Sequence, residues 1–149
     1  MPSRRPQLLA VAFDDLDART AYQVWRLRQD VFVVEQASPY PDLDGRDLEP
    51  GTRHLLVQEA GELVGYLRIL QEGAGARIGR VVVARAARGR GLGARLLEAA
   101  LAQIGDREVR LDAQTPLVAW YAGYGFEVDD AEFVEDGVAH LPMSRPLRW

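Results

Sequence analysis

The chain of 149 residues contains no cysteine, no lysine and no asparagine. Without cysteine, disulfides, thiolate metal sites and a cysteine nucleophile are impossible. All 18 basic residues are arginine, so Schiff-base chemistry and a P-loop lysine are also excluded. No apolar run approaches the roughly 18 residues of a membrane span, and Asp14 and Asp15 interrupt the N-terminal apolar run. We therefore expect a soluble, cytoplasmic protein without a membrane segment.

The composition is that of an ordinary globular protein. Hydrophobic residues make up 48% and charged residues 27% of the chain, and the formal net charge is −4. This length supports one core, so residues 1–149 are expected to form a single domain. The mildly acidic balance argues against a general nucleic-acid binder, although a local arginine patch could still hold phosphate.

Apolar periodicity and turn residues predict a mixed α/β domain with the element order β-α-β-β-β-α-β-α-β-β. Gly79 within the fourth strand segment suggests a bulge, and Asp136-Gly137 suggests a tight turn. Residues 36–53 are expected to be a loop. The predicted strands cover residues 8–13, 54–59, 63–70, 77–83, 108–113, 126–134 and 138–143.

The first helical pattern places Ala21, Trp25, Arg28, Phe32 and Glu35 on one mostly apolar face. A carboxylate on such a face could be desolvated and basic. Glu35 is therefore a candidate general base, with a structural pairing to Arg28 as the alternative.

A glycine-rich turn leads from the predicted strand at 77–83 into a predicted helix at 94–104. Gly89, Gly91 and Gly93 allow a sharp turn, and a helix N-terminus supplies free N–H donors that suit a pyrophosphate. Arg88 and Arg90 add positive charge. The spacing G-x-G-x-G does not fit the Rossmann fingerprint, and a P-loop would need lysine.

Two motifs together resemble those of the GCN5-related N-acetyltransferases (GNAT). Residues 81–93 resemble motif A, with the core Arg88, Gly91 and Gly93, and residues 120–126 resemble motif B, with Tyr121 five residues before Phe126. Further segments are similar to an ElaA-like subgroup, and the resemblance runs from about residue 13 to 143. The segments similar to the ElaA-like subgroup are residues 27–36, 40–47, 54–55, 78–81, 113–114 and 135–140.

The resemblance implies the acyl-CoA N-acyltransferase fold, a mixed and mostly antiparallel sheet flanked by helices. It also implies transfer of an acetyl group from acetyl-CoA, a co-substrate, to a primary amine of undefined identity. Main-chain N–H groups of residues 89–94 would hold the pyrophosphate, and Val81 and Val83 would pair with the pantetheine arm. The implied cofactor-binding residues are Val81, Val83, Arg88, Gly89, Arg90, Gly91, Gly93, Ala94 and Gln114.

Tyr121 matches the general acid of the family, because a phenol is protonated at neutral pH and can protonate the departing thiolate. A purely structural role among neighbouring aromatic residues is the alternative. Glu35 and His140 are the candidate bases, each with a structural alternative, and His54 is a weaker candidate.

The acidic loop that contains Asp42, Asp44, Asp47 and Glu49 does not have the EF-hand pattern, so no metal site is predicted. It could instead form a rim that attracts a cationic acceptor.

Two other functions stay open at this point. Arg28, Phe32, Arg68 and the acids of the 42–47 loop faintly resemble acyl-homoserine-lactone synthases, although those lack a clear motif A. A non-catalytic acyl-CoA sensor or interaction module would keep the glycine turn but would not need Tyr121. Exposed strand edges make a homodimer a further expectation.

The absence of lysine generates a prediction of its own. Incubation with isotope-labelled acetyl-CoA should leave the chain without internal N-acetylation, because the α-amino group is the one amine it carries. Intact-mass and peptide mass spectrometry would check this. An acetylated internal amine would contradict it.

Overall fold

A computed structural model describes residues 5–147, which form eight strands and three α-helices. The helices are α1 (Ala18–Arg28), α2 (Leu92–Ile104) and α3 (Val118–Ala122). The strands are β1 (Gln7–Val11), β2 (Arg53–Glu59), β3 (Glu62–Glu72), β4 (Gly75–Val83), β5 (Val109–Gln114), β6 (Glu127–Val128), β7 (Phe133–Glu135) and β8 (Val138–Arg145).

All strands belong to one sheet with the order β1-β2-β3-β4-β5-β8-β6, and β7 also pairs with β8. β4 and β5 run parallel, whereas the other pairs are antiparallel. This confirms the expected mixed, mostly antiparallel sheet flanked by helices.

The sheet is covered by a helix on each face because successive side chains of a strand point to opposite sides. Leu55 and Val57 of β2 pack with Leu96 and Leu97 of α2. Leu56, between them, packs in a second apolar cluster with Val24 of α1. The two helices therefore hold the sheet from opposite sides.

The prediction of one continuous strand at 126–134 is wrong, because its middle residues are not in a strand. β6 ends at Val128 and β7 starts at Phe133, so the structure has one strand more than the sequence pattern suggested. The side chain of Asp130 accepts a hydrogen bond from the N–H of Ala131, and that of Asp129 accepts one from Ser144. Such local side-chain hydrogen bonds compete with a strand ladder.

Helix α1 starts after Asp17, the N-cap, whose side chain accepts a hydrogen bond from the N–H of Thr20. It ends at Arg28, and the chain continues as a π-helix over Gln29–Glu35. The wider turn moves Glu35, which is exposed, off the predicted common face. Trp25 lies within α1 itself and is 38% exposed. The expected burial of those two residues is therefore wrong.

Arg28 is the largest fully buried side chain of the described residues. Its Nε donates to the Asp42 carboxylate at 2.8 Å, and Nη1 donates to Asp47 at 2.8 Å. Nη2 donates to the Asp42 carbonyl oxygen at 2.9 Å. The expected pairing of Arg28 with Glu35 is therefore wrong, since the partners of Arg28 come from the acidic loop.

Arg68 of β3 extends this network, which fastens the loop to the sheet. Its guanidinium contacts Asp44 at 2.6 Å and Asp47 at 3.1 Å. Despite its burial, Asp47 has a pKa below its ordinary value, because Arg28 and Arg68 stabilise the carboxylate. The hydrogen bond from Arg68 likewise lowers the pKa of Asp44. A depressed carboxylate pKa contributes stability that is present at neutral pH and is lost as the pH falls below about 4.

The loop acids are thus partners of arginines and not a free acidic rim. Within residues 5–147, no group of three or more His, Asp or Glu side chains is arranged to hold a metal ion. Among the same residues, no helix is long and apolar enough to cross a membrane.

The substitution Arg28→Met should lower the free energy of unfolding by about 3 kcal/mol, because the buried carboxylates of Asp42 and Asp47 would both lose a buried cation and its hydrogen bonds and would keep only Arg80 and Arg68 as partners. Urea unfolding at pH 7 followed by circular dichroism would measure the loss. Arg110→Met is the matched control, since its pair with Glu108 is exposed and screened by water, so its loss should change the stability much less. Equal losses in the two variants would contradict a structural role of the network.

Candidate active site

The central feature of the site is the divergence of β4 and β5. The two strands pair at Ala76–Val109 and Arg77–Arg110 and then separate. Beyond the last pair lies a cleft of about 530 Å³. It brings together six of the predicted site residues. They are Val81, Val83, Arg88, Gln114, Tyr121 and His140.

A bulge in β4 forms one side of this cleft. Two residues, Arg80 and Val81, lie opposite Leu67 alone, because Tyr66 pairs with Val82 and Arg68 pairs with Gly79. The predicted bulge is therefore confirmed next to Gly79. The left-handed backbone belongs to Arg80 (φ 55°), whose side chain contacts Asp42 at 2.8 Å.

The free edge of β4 faces the cleft. The N–H of Ala84 donates to the Val64 carbonyl at 2.8 Å, so the main-chain groups of Ala84 point towards β3. Because these groups alternate sides along a strand, those of Val83 and Val81 point away from β3 and towards the cleft. They form the edge available for strand-like pairing, where the Val83 carbonyl accepts a hydrogen bond from Arg88 Nε at 3.1 Å.

The glycine-rich turn continues from the end of β4. Gly89 (φ 80°) and Gly91 (φ 75°) have left-handed backbones. In α2 the bond from the Arg95 N–H to the Gly91 carbonyl is the first intrahelical one, so the N–H groups of residues 92–94 lack helical partners. These donors and the positive end of the 13-residue helix suit a diphosphate.

Arg88 lies beside the turn, and its guanidinium forms a bidentate pair with Glu35 at 2.8 and 3.0 Å. This pairing holds the pKa of Glu35 below its ordinary value. The expected desolvated, basic carboxylate is therefore wrong, because Glu35 is exposed and bound to a cation. Arg90 forms a similar pair with Glu59 and does not line the cleft.

Tyr121 lies on α3, in the cleft wall, and is only 5% exposed. Its ring packs edge-on against Trp120 at 4.8 Å and Phe126 at 5.9 Å between centroids. Burial raises the pKa of the Tyr121 hydroxyl to about 12. No residue within 5–147 forms a hydrogen bond with this hydroxyl, which is protonated at neutral pH.

His140 and Gln114 face each other across the β5–β8 pair and line the same cleft. The Nδ1 atom of His140 lies 2.8 Å from the Val138 carbonyl oxygen, which can only accept. The proton of a neutral imidazole is therefore on Nδ1, and Nε2 carries the lone pair. The ring stacks on Phe133 at 5.6 Å between centroids.

His54 lies in the interior of the protein and does not line the cleft. It is buried, and its ring nitrogens contact the Tyr66 hydroxyl at 2.6 Å and the Asp47 carbonyl at 3.2 Å. Burial lowers its pKa, so the ring is neutral at neutral pH.

Sequence reasoning missed several residues that line the cleft: Gln36, Ser38, Arg80, Glu135 and Asp136. Gln36 and Ser38 come from the end of the π-helix and the residues after it. Local periodicity cannot place such residues. The Asp136-Gly137 turn was a usable signal, because it predicted a hairpin beside His140.

The comparisons with known proteins agree with this geometry. Residues 16–147 match the family described as the Acetyltransferase (GNAT) domain. UPF0039 protein Rv2851c of Mycobacterium tuberculosis is 53% identical over 137 residues, 89% of this chain and 88% of that protein. Protein ElaA of Escherichia coli is 39% identical over 140 residues, 89% of this chain and 92% of that protein.

The fold also matches solved structures. The crystal structure of E. coli ElaA has a TM-score of 0.89 and covers 95% of this chain and 99% of that one, at 36% identity. An acyl-CoA N-acyltransferase from Pseudomonas aeruginosa has a TM-score of 0.88 at 39% identity, with the same coverage. An acyl-homoserine lactone synthase, BjaI, has a TM-score of 0.76 at 19% identity over 97% of this chain and 84% of that one, which is a likeness of fold alone.

The motifs around Arg88 and Tyr121, the diverging strands and these matches agree: the chain belongs to the GNAT acetyltransferase family and is similar to ElaA.

Proposed function

We propose that this protein transfers an acetyl group from acetyl-CoA to a primary amine by direct attack, with Tyr121 as the general acid. The observation that carries the proposal is the position of Tyr121: its ring is buried, it lines the cleft between the diverging strands, and its hydroxyl forms no hydrogen bond with residues 5–147. The hydroxyl is therefore free to donate a hydrogen bond to a group that binds in the cleft.

The donor would bind along β4 and the start of α2. The pantetheine amides would pair with the main-chain groups of Val81 and Val83, as an added strand does. The diphosphate would lie on the N–H groups of residues 89–94, with Arg88 beside it. Gln114, on the opposite side of the cleft, would hold a pantetheine amide or a water molecule.

His140 is our preferred base. Its Nε2 lone pair is free in the neutral tautomer, whereas Glu35 is occupied by Arg88. An amine that arrives as an ammonium ion must lose a proton before it can attack, directly to His140 or through one water molecule.

The charges at the cleft support an ammonium-bearing acceptor. The arginines that line it, Arg46, Arg68, Arg77, Arg80 and Arg88, are all paired with carboxylates. Glu135 and Asp136 also line the cleft and have no cationic partner among the described residues. They lie four to five residues before His140 and attract a cation at long range.

The proposed reaction proceeds in three steps. His140 takes a proton from the ammonium group. The neutral nitrogen then attacks the thioester carbonyl carbon, and a main-chain N–H at the β4 edge stabilises the oxyanion. As the C–S bond breaks, Tyr121 donates its proton to sulfur, giving CoA thiol and the N-acetyl amide. The amide nitrogen loses its extra proton to solvent, His140 releases the proton that it accepted, and the Tyr121 phenolate takes one up, which restores both residues.

Tyr121→Phe should lower kcat by about 100-fold or more, because the sulfur would leave without a proton donor. The Kd for acetyl-CoA should change less than about twofold, since the ring stays in place. An amine-panel assay of CoA thiol release, with calorimetry for binding, would measure both.

Tyr124→Phe is the matched control. It removes the same atom three residues later, from a ring that does not line the cleft. Unchanged turnover in Tyr121→Phe would refute the acid role. Tight acetyl-CoA binding without turnover by the wild type would favour the non-catalytic acyl-CoA module.

His140→Gln should lower kcat/KM for the amine at pH 7 by about 10- to 100-fold with unchanged acetyl-CoA affinity. The defect should shrink as the pH approaches the pKa of the acceptor amine, because the free amine then forms without a base. A pH–rate profile of both proteins would test this. A defect of constant size at all pH values would indicate a structural role.

The homodimer and the cytoplasmic location stay predictions. Size-exclusion chromatography with light scattering would test the first.

A further inference from the structure

One short segment of the chain contacts three separate parts of the cleft. We call residues 29–38 the strap. Glu35 pairs with Arg88 of the β4–α2 turn, Gln36 bonds with Gln114 of β5, and the Ser38 hydroxyl donates to the carbonyl of Asp136 in the β7–β8 turn.

The first two contacts fall on side chains that we propose for the donor. Arg88 uses three of its five N–H donors here: Nη1 and Nη2 bind Glu35, and Nε donates to the Val83 carbonyl at 3.1 Å. That carbonyl is one of the β4 groups proposed to pair with pantetheine. The amides of Gln36 and Gln114 bond reciprocally, at 3.3 and 3.4 Å.

The chemistry of each contact resembles that of the donor. A carboxylate bound by an arginine fork occupies the place of a phosphate, because the same fork binds both anions. A side-chain amide that both donates and accepts occupies the place of a pantetheine amide. The two groups come from consecutive residues. Glu35 contacts Arg88, beside the predicted diphosphate site, and Gln36 contacts Gln114, at the predicted pantetheine site.

We propose that the strap occupies the donor site in the free protein and that acetyl-CoA binds by exchange, its diphosphate replacing Glu35 on Arg88 and a pantetheine amide replacing Gln36 on Gln114. This inference rests on the proposed function only for the location of the donor. Glu35 is then a residue that sets donor affinity and not a base.

The exposure of the contacts makes such an exchange possible. The side chains of Arg88 and Glu35 are 40% and 32% exposed, and exposed ion pairs contribute little net stability. The donor then binds the open fraction of the molecules, so its apparent Kd equals the intrinsic value divided by that fraction. A strap that closes the site most of the time weakens binding without abolishing it.

The opposite arrangement makes the opposite prediction. If the Glu35–Arg88 pair persisted in the complex and held Arg88 towards the diphosphate, removal of Glu35 would weaken donor binding. Tighter donor binding after removal of Glu35 therefore indicates that Glu35 occupies the donor site. Weaker binding indicates that Glu35 orients Arg88 for the donor.

The test is calorimetric titration of the full chain with CoA. Glu35→Gln should bind CoA about three- to tenfold more tightly than the wild type, because the open fraction rises. Gln36→Ala, which removes the second contact and no charge, should also bind more tightly. Glu108→Gln is the control for charge, since it removes one carboxylate at the far end of β5.

A weaker or unchanged affinity of Glu35→Gln, measured against Glu108→Gln, overturns the inference and leaves the proposed function intact. If Glu35→Gln does not fold, the same criterion applies to Gln36→Ala, measured against the wild type. If neither the wild type nor any variant binds CoA, the donor site of the proposed function is wrong, and the inference falls with it.

Discussion

β4 and β5 pair with each other at two residue pairs, yet β5 stays paired with β8 along its whole length and β4 stays paired with β3 on both sides of its bulge. β4 is held to β3 as far as Val83, and β5 is held to β8 as far as Gln114. The two inner edges therefore diverge without either strand losing its place in the sheet. Unpaired main-chain groups at such an edge must bond to side chains, water or a ligand. The cleft and the bonding of the Val83 carbonyl to the Arg88 side chain, in place of a neighbouring strand, both follow from this divergence.

The strap needs a rigid base, and the buried arginines supply it. Arg28 donates in three directions to the loop that follows the strap, and Arg68 fixes the same loop from β3. A planar guanidinium has separated donors for several partners, whereas a lysine ammonium is a single point charge. The choice of arginine at these positions therefore has a geometric reason.

The glycine turn before α2, the bulge by Gly79 and the Asp136-Gly137 hairpin could be predicted because local residue types determine them. The place of Tyr121 in the cleft was expected only from the resemblance of residues 120–126 to a family motif. Glu35 could not be placed, since a helical period of 3.6 residues projects it onto the face of Arg28 and the π-helix turns it away. The break between β6 and β7 was missed because strand propensity does not register the hydrogen bond that the Asp129 carboxylate accepts from Ser144 on a distant strand. The Arg28 network joins residues 14 and 19 positions apart, which periodicity cannot connect.

The same chemical pair has two different consequences in this fold, and burial decides between them. Arg28 and its carboxylate partners are buried, so breaking these ion pairs would leave charges in a protein interior that solvates them poorly. Arg88 and Glu35 lie at the surface, where water and other anions can replace either partner. The pair below the cleft is therefore permanent and positions the loop, whereas the pair at its mouth can exchange. A cleft that binds a polyanionic donor reversibly needs both kinds, a fixed base and an arginine that can change partners.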